Sequence, residues 1–396
     1  VRNVQVQHEE HGAHVRVLLE QDGRETWLEL APPWQTLGPV LQDVLAAGLP
    51  LHLAAYHLAR SALARGATAA RPTYRAAERS LVALDPDTLI DATSIAQADY
   101  CARRSLIEDL ARRGGSAAMA EGSAIHVAFA RGLLRHEPPL LHLAVALRGA
   151  ALPLALVSDG DDEVSTRERA EDHLRRVGEW LDDHRPTGRV RAEALLLSAG
   201  LGLRGRADAI LDPDEQPMVV DLKTGTSAGP DPRPAHVVQM AAYDLLLRER
   251  GHVPLAGWLL YSGNPAGDVG RRVPVGHDDR VKVMRLRNEL AAITLLGRAP
   301  LSPYPRRCMG CRVIDDCHDL SFLNGETAYA LNRGQDEARA RLSEQDARFF
   351  RHYSALLRLE GRAAAASVQS LWRQTAAERI ARGAALQAQQ GAVVAK

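Results

Sequence analysis

The sequence carries no net charge: 49 lysines and arginines balance 49 aspartates and glutamates over 396 residues. No global field announces a polyanionic partner, so any phosphate-binding surface must gather basic side chains locally. Aromatic residues are scarce at 4%, which leaves few rings for stacking against bases. No charged-then-apolar leader occurs, nor any apolar run long enough to cross a bilayer. Their absence sets the expectation of a cytoplasmic protein. No Gly-x-x-x-x-Gly-Lys-[Ser/Thr] loop occurs in these residues, so no nucleotide-driven motor of that kind is encoded in them. Internal repeats are absent too. Four cysteines are too few for a disulfide framework in a chain this long.

What is present is an ordinary globular composition, 46% hydrophobic and 25% charged, long enough for a sizeable core and more than one module. Alanine, leucine and arginine are abundant, which favours helices. Residues 3–30 alternate apolar and polar around an Asp22-Gly23 turn and predict a β-meander. Helical spacing follows from Leu37 to Arg65, then a connector over 66–90. Thr93 to His136 is helical in pattern, with Ser94 as N-cap and a break at Gly114-Gly115. A further helix is expected over Ser165–His184. Three strands are then expected at Arg189–Ser198, Leu203–Leu211 and Pro217–Leu222, the last two joined by a Pro213-Asp214-Glu215 turn. A helix from Pro234 to Arg250, a strand at Ala256–Ser262 and a helix at Asp279–Leu296 complete the centre. The tail from Glu326 is alanine-, arginine- and glutamine-rich and helical in pattern.

The central hairpin holds the main chemical signal. Gly205-Arg206-Ala207-Asp208 is followed across one turn by Asp221-Leu222-Lys223. Carboxylates on neighbouring strands make a hard-oxygen site suited to magnesium or manganese. Lys223, two residues after Asp221, shares its sheet face, where a cation can orient water or stabilise charge on a phosphate. Taken alone, the Asp-x-Lys triplet is common and fits a solvated hairpin better than a metal site. His126, on a helix beginning Glu121-Gly122, can complete a mixed oxygen–nitrogen metal site, with Gly122 allowing close approach to the sheet, or can be a packed core histidine. Gln239 and Tyr243 lie one helical turn apart on the helix after the Asp-x-Lys strand. They can hold a substrate phosphate or the lysine.

Cys101 stands alone, whereas Cys308, Cys311 and Cys317 crowd together. Four thiolates suit an iron–sulfur cluster or a zinc ion, although zinc more often takes two close pairs. Arg103, Arg104, Arg306 and Arg307 flank both ends, so closure of such a site would gather positive charge.

A lone cysteine before basic residues, a Gly-x-x-x-His helix, Gly-x-x-Asp, Asp-x-Lys, Gln-x-x-x-Tyr and a cysteine triplet occur in that order. This ordered set, over roughly residues 90–320, resembles the iron–sulfur branch of the PD-(D/E)XK nucleases. That branch includes CRISPR-associated exonucleases, the B subunit of AddAB-type nucleases and the nuclease module of replication-linked nuclease-helicases. Leu84-Asp85-Pro86-Asp87 and the tail around Phe350–Trp372 look most like the nuclease-helicase version. The usual Cys-Pro-Arg reads Cys101-Ala102-Arg103 here.

The resemblance implies an α/β, restriction-endonuclease-like core over 86–320, a β-rich N-terminal module over 1–85 and a helical C-terminal extension over 321–396. It implies that His126, Asp208, Asp221 and the Leu222 carbonyl hold Mg2+ or Mn2+. Lys223 would position or activate water, and Gln239 and Tyr243 would support the site. Glu193 is assigned a second-metal or outer-shell role. Cys101, Cys308, Cys311 and Cys317 would hold a structural [4Fe-4S] cluster. The implied activity is hydrolysis of DNA phosphodiesters, preferably in single strands or at ends, either alone on pre-existing single strands or beside a separate helicase or recombination partner that supplies unwinding. Two alternatives stand beside it: a non-catalytic DNA-binding or scaffold subunit of the same fold, and a zinc-stabilised nucleic-acid-binding protein.

Overall fold

The computed structural model describes the chain except residues 10–11, 61–71, 112–115, 158–162, 185–187, 213–215, 228, 374 and 382–396. The expected break at Gly114-Gly115 and turn at Pro213-Asp214-Glu215 lie outside the described residues. The chain divides into two compact units, Val1–Val313 and Ile314–Lys396.

In the first unit, the meander Asn3–Glu9, Gly12–Gln21 and Arg24–Leu30 is antiparallel and is extended by Thr73–Ala76 and Ala59–Arg60 into a five-stranded sheet. Inward-facing Val15, Val17, Leu28 and Leu30 bury against Trp34, Leu41 and Val44, as alternation requires. Sequence spacing overextends the next helix. It runs only over Gly38–Ala46, ended by Gly48 at a left-handed φ of 67° and by Pro50 beyond. Leu53–Tyr56 is instead a strand paired with Leu81–Leu84, inside what reads as a connector. Asn288 secures that pair: its side chain accepts from Leu84 N at 2.9 Å and donates to Val82 O at 2.8 Å.

A six-stranded mixed sheet forms the centre. In order, Gly270–Val273, Gly257–Tyr261, Met218–Lys223, Leu203–Asp212 and Ile90–Asp91 adjoin, and Arg189–Ser198 also pairs with Leu203–Asp212. Met218–Lys223 and Gly257–Tyr261 run parallel across the intervening helix Pro234–Glu249. Two hydrophobic cores cover the two faces. One joins that helix, the helix His277–Leu296 and the N-terminal strands to Val219, Leu259 and Tyr261. The other joins the helices Ala117–Arg135 and Glu163–Asp183 to Val220, Leu222 and Leu260. The helix Ala92–Ala98 is capped by Asp91, whose carboxylate accepts from Thr93 N, rather than by Ser94. Helix Leu143–Val157 and strand Gly270–Val273 are additions to the pattern read from sequence. Among the described residues no helix is long and apolar enough to cross a membrane.

The second unit contains the helices Ile314–Asn324, Gly334–Arg341, Glu344–Arg373 and Ala376–Ala381. Phe322, Ala338 and Ala347 form its small core.

Candidate active site

The site begins with a fault in a strand. Residues of like parity on Leu203–Asp212 should face one side, yet Ala207 packs in one core and Ala209 in the other. The alternation slips at Asp208. The neighbouring strand slips at the same point: the ladder pairs Ala207 with Ala194 and Ala209 with Ala192 but omits Asp208 with Glu193. Glu193 carries the distortion as a left-handed φ of 50°, a conformation costing roughly 1–2 kcal/mol for a residue with a Cβ. On the other side, the ladder to Met218–Lys223 ends at Ala209–Val220. Asp208 and Asp221 occupy the next register position. There the Leu222 N–H donates to Asp208 Oδ2 at 2.7 Å.

His126 reaches this opening from the helix Ala117–Arg135, whose start is fixed by Ser116 Oγ accepting from Met119 N at 3.2 Å. Its Nδ1 lies 2.9 Å from Asp208 Oδ1. Gly122 is not what permits the approach: a Cβ there would meet Thr224 at 3.7 Å, an ordinary contact. Burial lowers the His126 pKa, but the hydrogen bond to Asp208 and the charges of Asp208 and Asp221 outweigh it, and the net direction is up. Burial and the nearby Asp208 raise the Asp221 carboxyl above the usual carboxylate range, against the pull of Lys223 and His126.

Lys223 connects this pocket to the helix Pro234–Glu249. Its Nζ lies 2.6 Å from Asp221 Oδ2 and donates to Gln239 Oε1 at 2.8 Å. Gln239 Nε2 donates to Tyr243 Oη at 2.9 Å, and Tyr243 Oη donates to the Arg206 carbonyl at 2.9 Å. The Gln-x-x-x-Tyr pair meets the lysine through Gln239, and both side chains are buried. Burial, then Asp221, pushes the Tyr243 phenol far above its ordinary value, so it stays a proton donor. Gly205 makes room for the ring: a Cβ there would stand 2.8 Å from Tyr243 Cε1.

The donor set suits a divalent cation. His126, Glu193 and Asp208 each bring one ligand atom within 4.8 Å of the others. The buried Asp221 Oδ2 has Lys223 as ion-pair partner but no aligned hydrogen bond. Glu193 therefore stands closer to this centre than an outer role implies, and its Oε2 pairs with Arg206 Nε at 3.0 Å. Leu222 sits in the ladder with Leu260, and its N–H is the group that Asp208 engages. Sequence reasoning passed over His236, whose Nδ1 lies 2.8 Å from Tyr261 Oη. Burial, then Lys223 and Arg233, lowers its pKa to about 4. Its position one turn before Gln239 was the available signal.

Three of the four cysteines fall in the first unit. Tyr100 ties their segments together: its hydroxyl donates to Arg307 O at 2.5 Å, while Arg307 Nη1 donates back to Asp99 O and Tyr100 O at 2.9 and 2.8 Å. Glu108 accepts from both Arg104 and Arg312. The Cys308 thiol is pushed up by burial and by the neighbouring Cys101 and Cys311. Cys317 is buried in the second unit. None of the four forms a disulfide. Arg103 adds no surface charge: it is buried, donating to Ala299 O at 2.7 Å.

The family model described as PD-(D/E)XK nuclease superfamily matches residues 91–318, more than half of the chain. Two curated proteins are similar. The DNA replication ATP-dependent helicase/nuclease JHS1 of Arabidopsis thaliana is 24% identical over 327 residues, covering 72% of this chain and 24% of its own length. The DNA replication ATP-dependent helicase/nuclease DNA2 of Mus musculus is 25% identical over 363 residues, covering 74% of this chain and 33% of its own. The chain thus spans a quarter to a third of these relatives. The crystal structure of SSO0001 covers 57% of this chain and 84% of its own at 16% identity, with a TM-score of 0.29 too low to bear on the fold.

Proposed function

The chain belongs to the PD-(D/E)XK nuclease superfamily, and we propose that it is a metal-dependent DNA nuclease acting on single strands or ends. The observation that carries this reading is the unbroken connection from Asp221 through Lys223 and Gln239 to Tyr243. A solvated hairpin has no use for a lysine held from both sides, one a buried carboxylate and the other a buried amide. Lys223 is also one of three lysines in a chain whose other 46 basic residues are arginines. A compact ammonium, not a planar guanidinium, suits a point where one phosphate oxygen or water must be oriented.

In this reading His126, Asp208 and Asp221, with the Leu222 carbonyl, hold Mg2+ or Mn2+, and Glu193 adds a carboxylate to the same centre. The ion supplies Lewis acidity toward the phosphodiester and makes a water molecule more acidic. Lys223 holds the attacking water or the phosphate in line. Gln239 fixes the ammonium, Tyr243 fixes Gln239, and both exclude solvent from behind it. We assign the nuclease domain and the β-rich N-terminal module to the first unit, Val1–Val313, and the helical extension to the second, Ile314–Lys396. Cys101, Cys308, Cys311 and Cys317 hold a [4Fe-4S] cluster. The names of both curated relatives speak of DNA replication and of a helicase, which supports DNA as substrate. Any unwinding would come from outside these 396 residues. The test uses end-labelled single-stranded and blunt duplex DNA with Mg2+, Mn2+ or chelator. The reading expects metal-dependent, ATP-independent loss of the single strand and near-inert duplex; no cleavage with either metal would favour the scaffold reading.

A further inference from the structure

A second set of metal-type ligands lies in the other unit, in residues that the nuclease reading does not use. Asp315 and His318 are three residues apart on the helix Ile314–Asn324 and so share a face. Glu337 comes from the helix Gly334–Arg341. One ligand atom from each lies within 4.8 Å of the others.

His318 makes this more than an acidic cluster. It is fully buried, and among the described residues neither ring nitrogen has a hydrogen-bond partner. Its Nδ1 stands 2.8 Å from Glu337 Oε2, yet without hydrogen-bond alignment. Ligand atoms each about 2.0–2.2 Å from one ion stand roughly 3 Å apart, so this close but misaligned pair matches two ligands of a common cation. The surroundings fix both partners. Gly334 packs on the imidazole so tightly that a Cβ there would lie 2.5 Å from its Cδ2. Arg333 holds the other oxygen of Glu337 at 2.8 Å, and Arg341 pairs with Asp319 at 2.9 Å beside them. Outer partners of this kind orient metal ligands. Asp315, at the surface, provides the entry.

We propose that Asp315, His318 and Glu337 form a zinc site that staples the helix Gly334–Arg341 to the helix Ile314–Asn324. One imidazole and two carboxylates suit zinc, with water as a fourth ligand.

The test titrates Zn2+ alone into the full-length chain carrying Asp208→Asn, which weakens the proposed catalytic centre, and compares it with the same chain also carrying Glu337→Gln. Zinc taken by the cysteines is common to both and cancels in the difference. The proposal expects the second chain to lose one equivalent, or to bind it at least about tenfold more weakly, and to lose the zinc-dependent rise in unfolding temperature. Should Glu337→Gln fail to fold, Asp315→Asn, at an exposed position, must give the same loss. Equal zinc content and equal zinc-dependent stabilisation in parent and variants would overturn the site and leave His318 and Glu337 as a metal-free buried pair. Binding of no zinc by the parent would overturn it equally.

Discussion

Lys223 Nζ donates to the Gln239 side-chain oxygen at 2.8 Å while it stands 2.6 Å from Asp221 Oδ2. The amide therefore fixes the lysine without neutralising it. Gln239→Leu should keep the fold and lower the cleavage rate by roughly 10- to 100-fold, the scale of an outer partner that orients a working group. Tyr243→Phe removes the acceptor of the Gln239 N–H and the donor to Arg206 O. It should cost about 1–3 kcal/mol of stability and less activity than Gln239→Leu. Urea unfolding beside single-turnover cleavage checks both; an unchanged rate in Gln239→Leu would contradict the assigned role.

Glu193 offers a case in which stability and metal binding move apart. At φ 50° the residue favours glycine, so Glu193→Gly should hold or raise stability by up to roughly 1–2 kcal/mol. It also removes a carboxylate from beside His126 and Asp208, so half-maximal cleavage should need more Mn2+. Metal titration and thermal unfolding of one preparation read both effects.

His236 should make stability depend on pH. Its folded pKa is about 4, against an ordinary value near 6.5, so the unfolded chain binds the proton first as pH falls. This destabilisation starts near pH 6.5, grows until about pH 4 and then levels; above pH 6.5 it is absent. His236→Gln lacks it. Between pH 7 and 5 the wild type should lose more unfolding free energy than the variant, and parallel losses would contradict the assignment.

For the cysteines, anaerobically purified protein should contain iron and show broad visible absorption, and Cys311→Ser should lose both colour and stability. Stoichiometric zinc without iron would contradict the cluster.

The sequence made legible whatever depends on short spacing. Gln239 and Tyr243 are one helical turn apart and do hydrogen-bond to each other. Asp221 and Lys223, two residues apart on a strand, do meet. What depended on departures from regularity stayed hidden. The period-two rule assumes an even strand, and nothing in Ala207-Asp208-Ala209 announces that the alternation slips there or that Glu193 slips with it. Gly205 stands inside the expected strand with no reason visible in the sequence until Tyr243 is seen against it. The helix read from Leu37 to Arg65 failed because the alternative for Leu53–Tyr56, pairing with Leu81–Leu84, is a non-local contact that local propensity cannot see.

The central claim is that Asp221 and Lys223 perform chemistry rather than hold the fold or the substrate. The most direct measurement is cleavage of a labelled single strand in Mn2+ by wild type, Asp221→Asn and Lys223→Ala, with binding of the same strand measured in Ca2+. The account predicts that each substitution lowers the cleavage rate at least about a thousandfold, the loss of about 4 kcal/mol of transition-state stabilisation, while binding stays within a few-fold. Cleavage at the wild-type rate in either variant, or a loss of binding that accounts for the whole loss of cleavage, would contradict it.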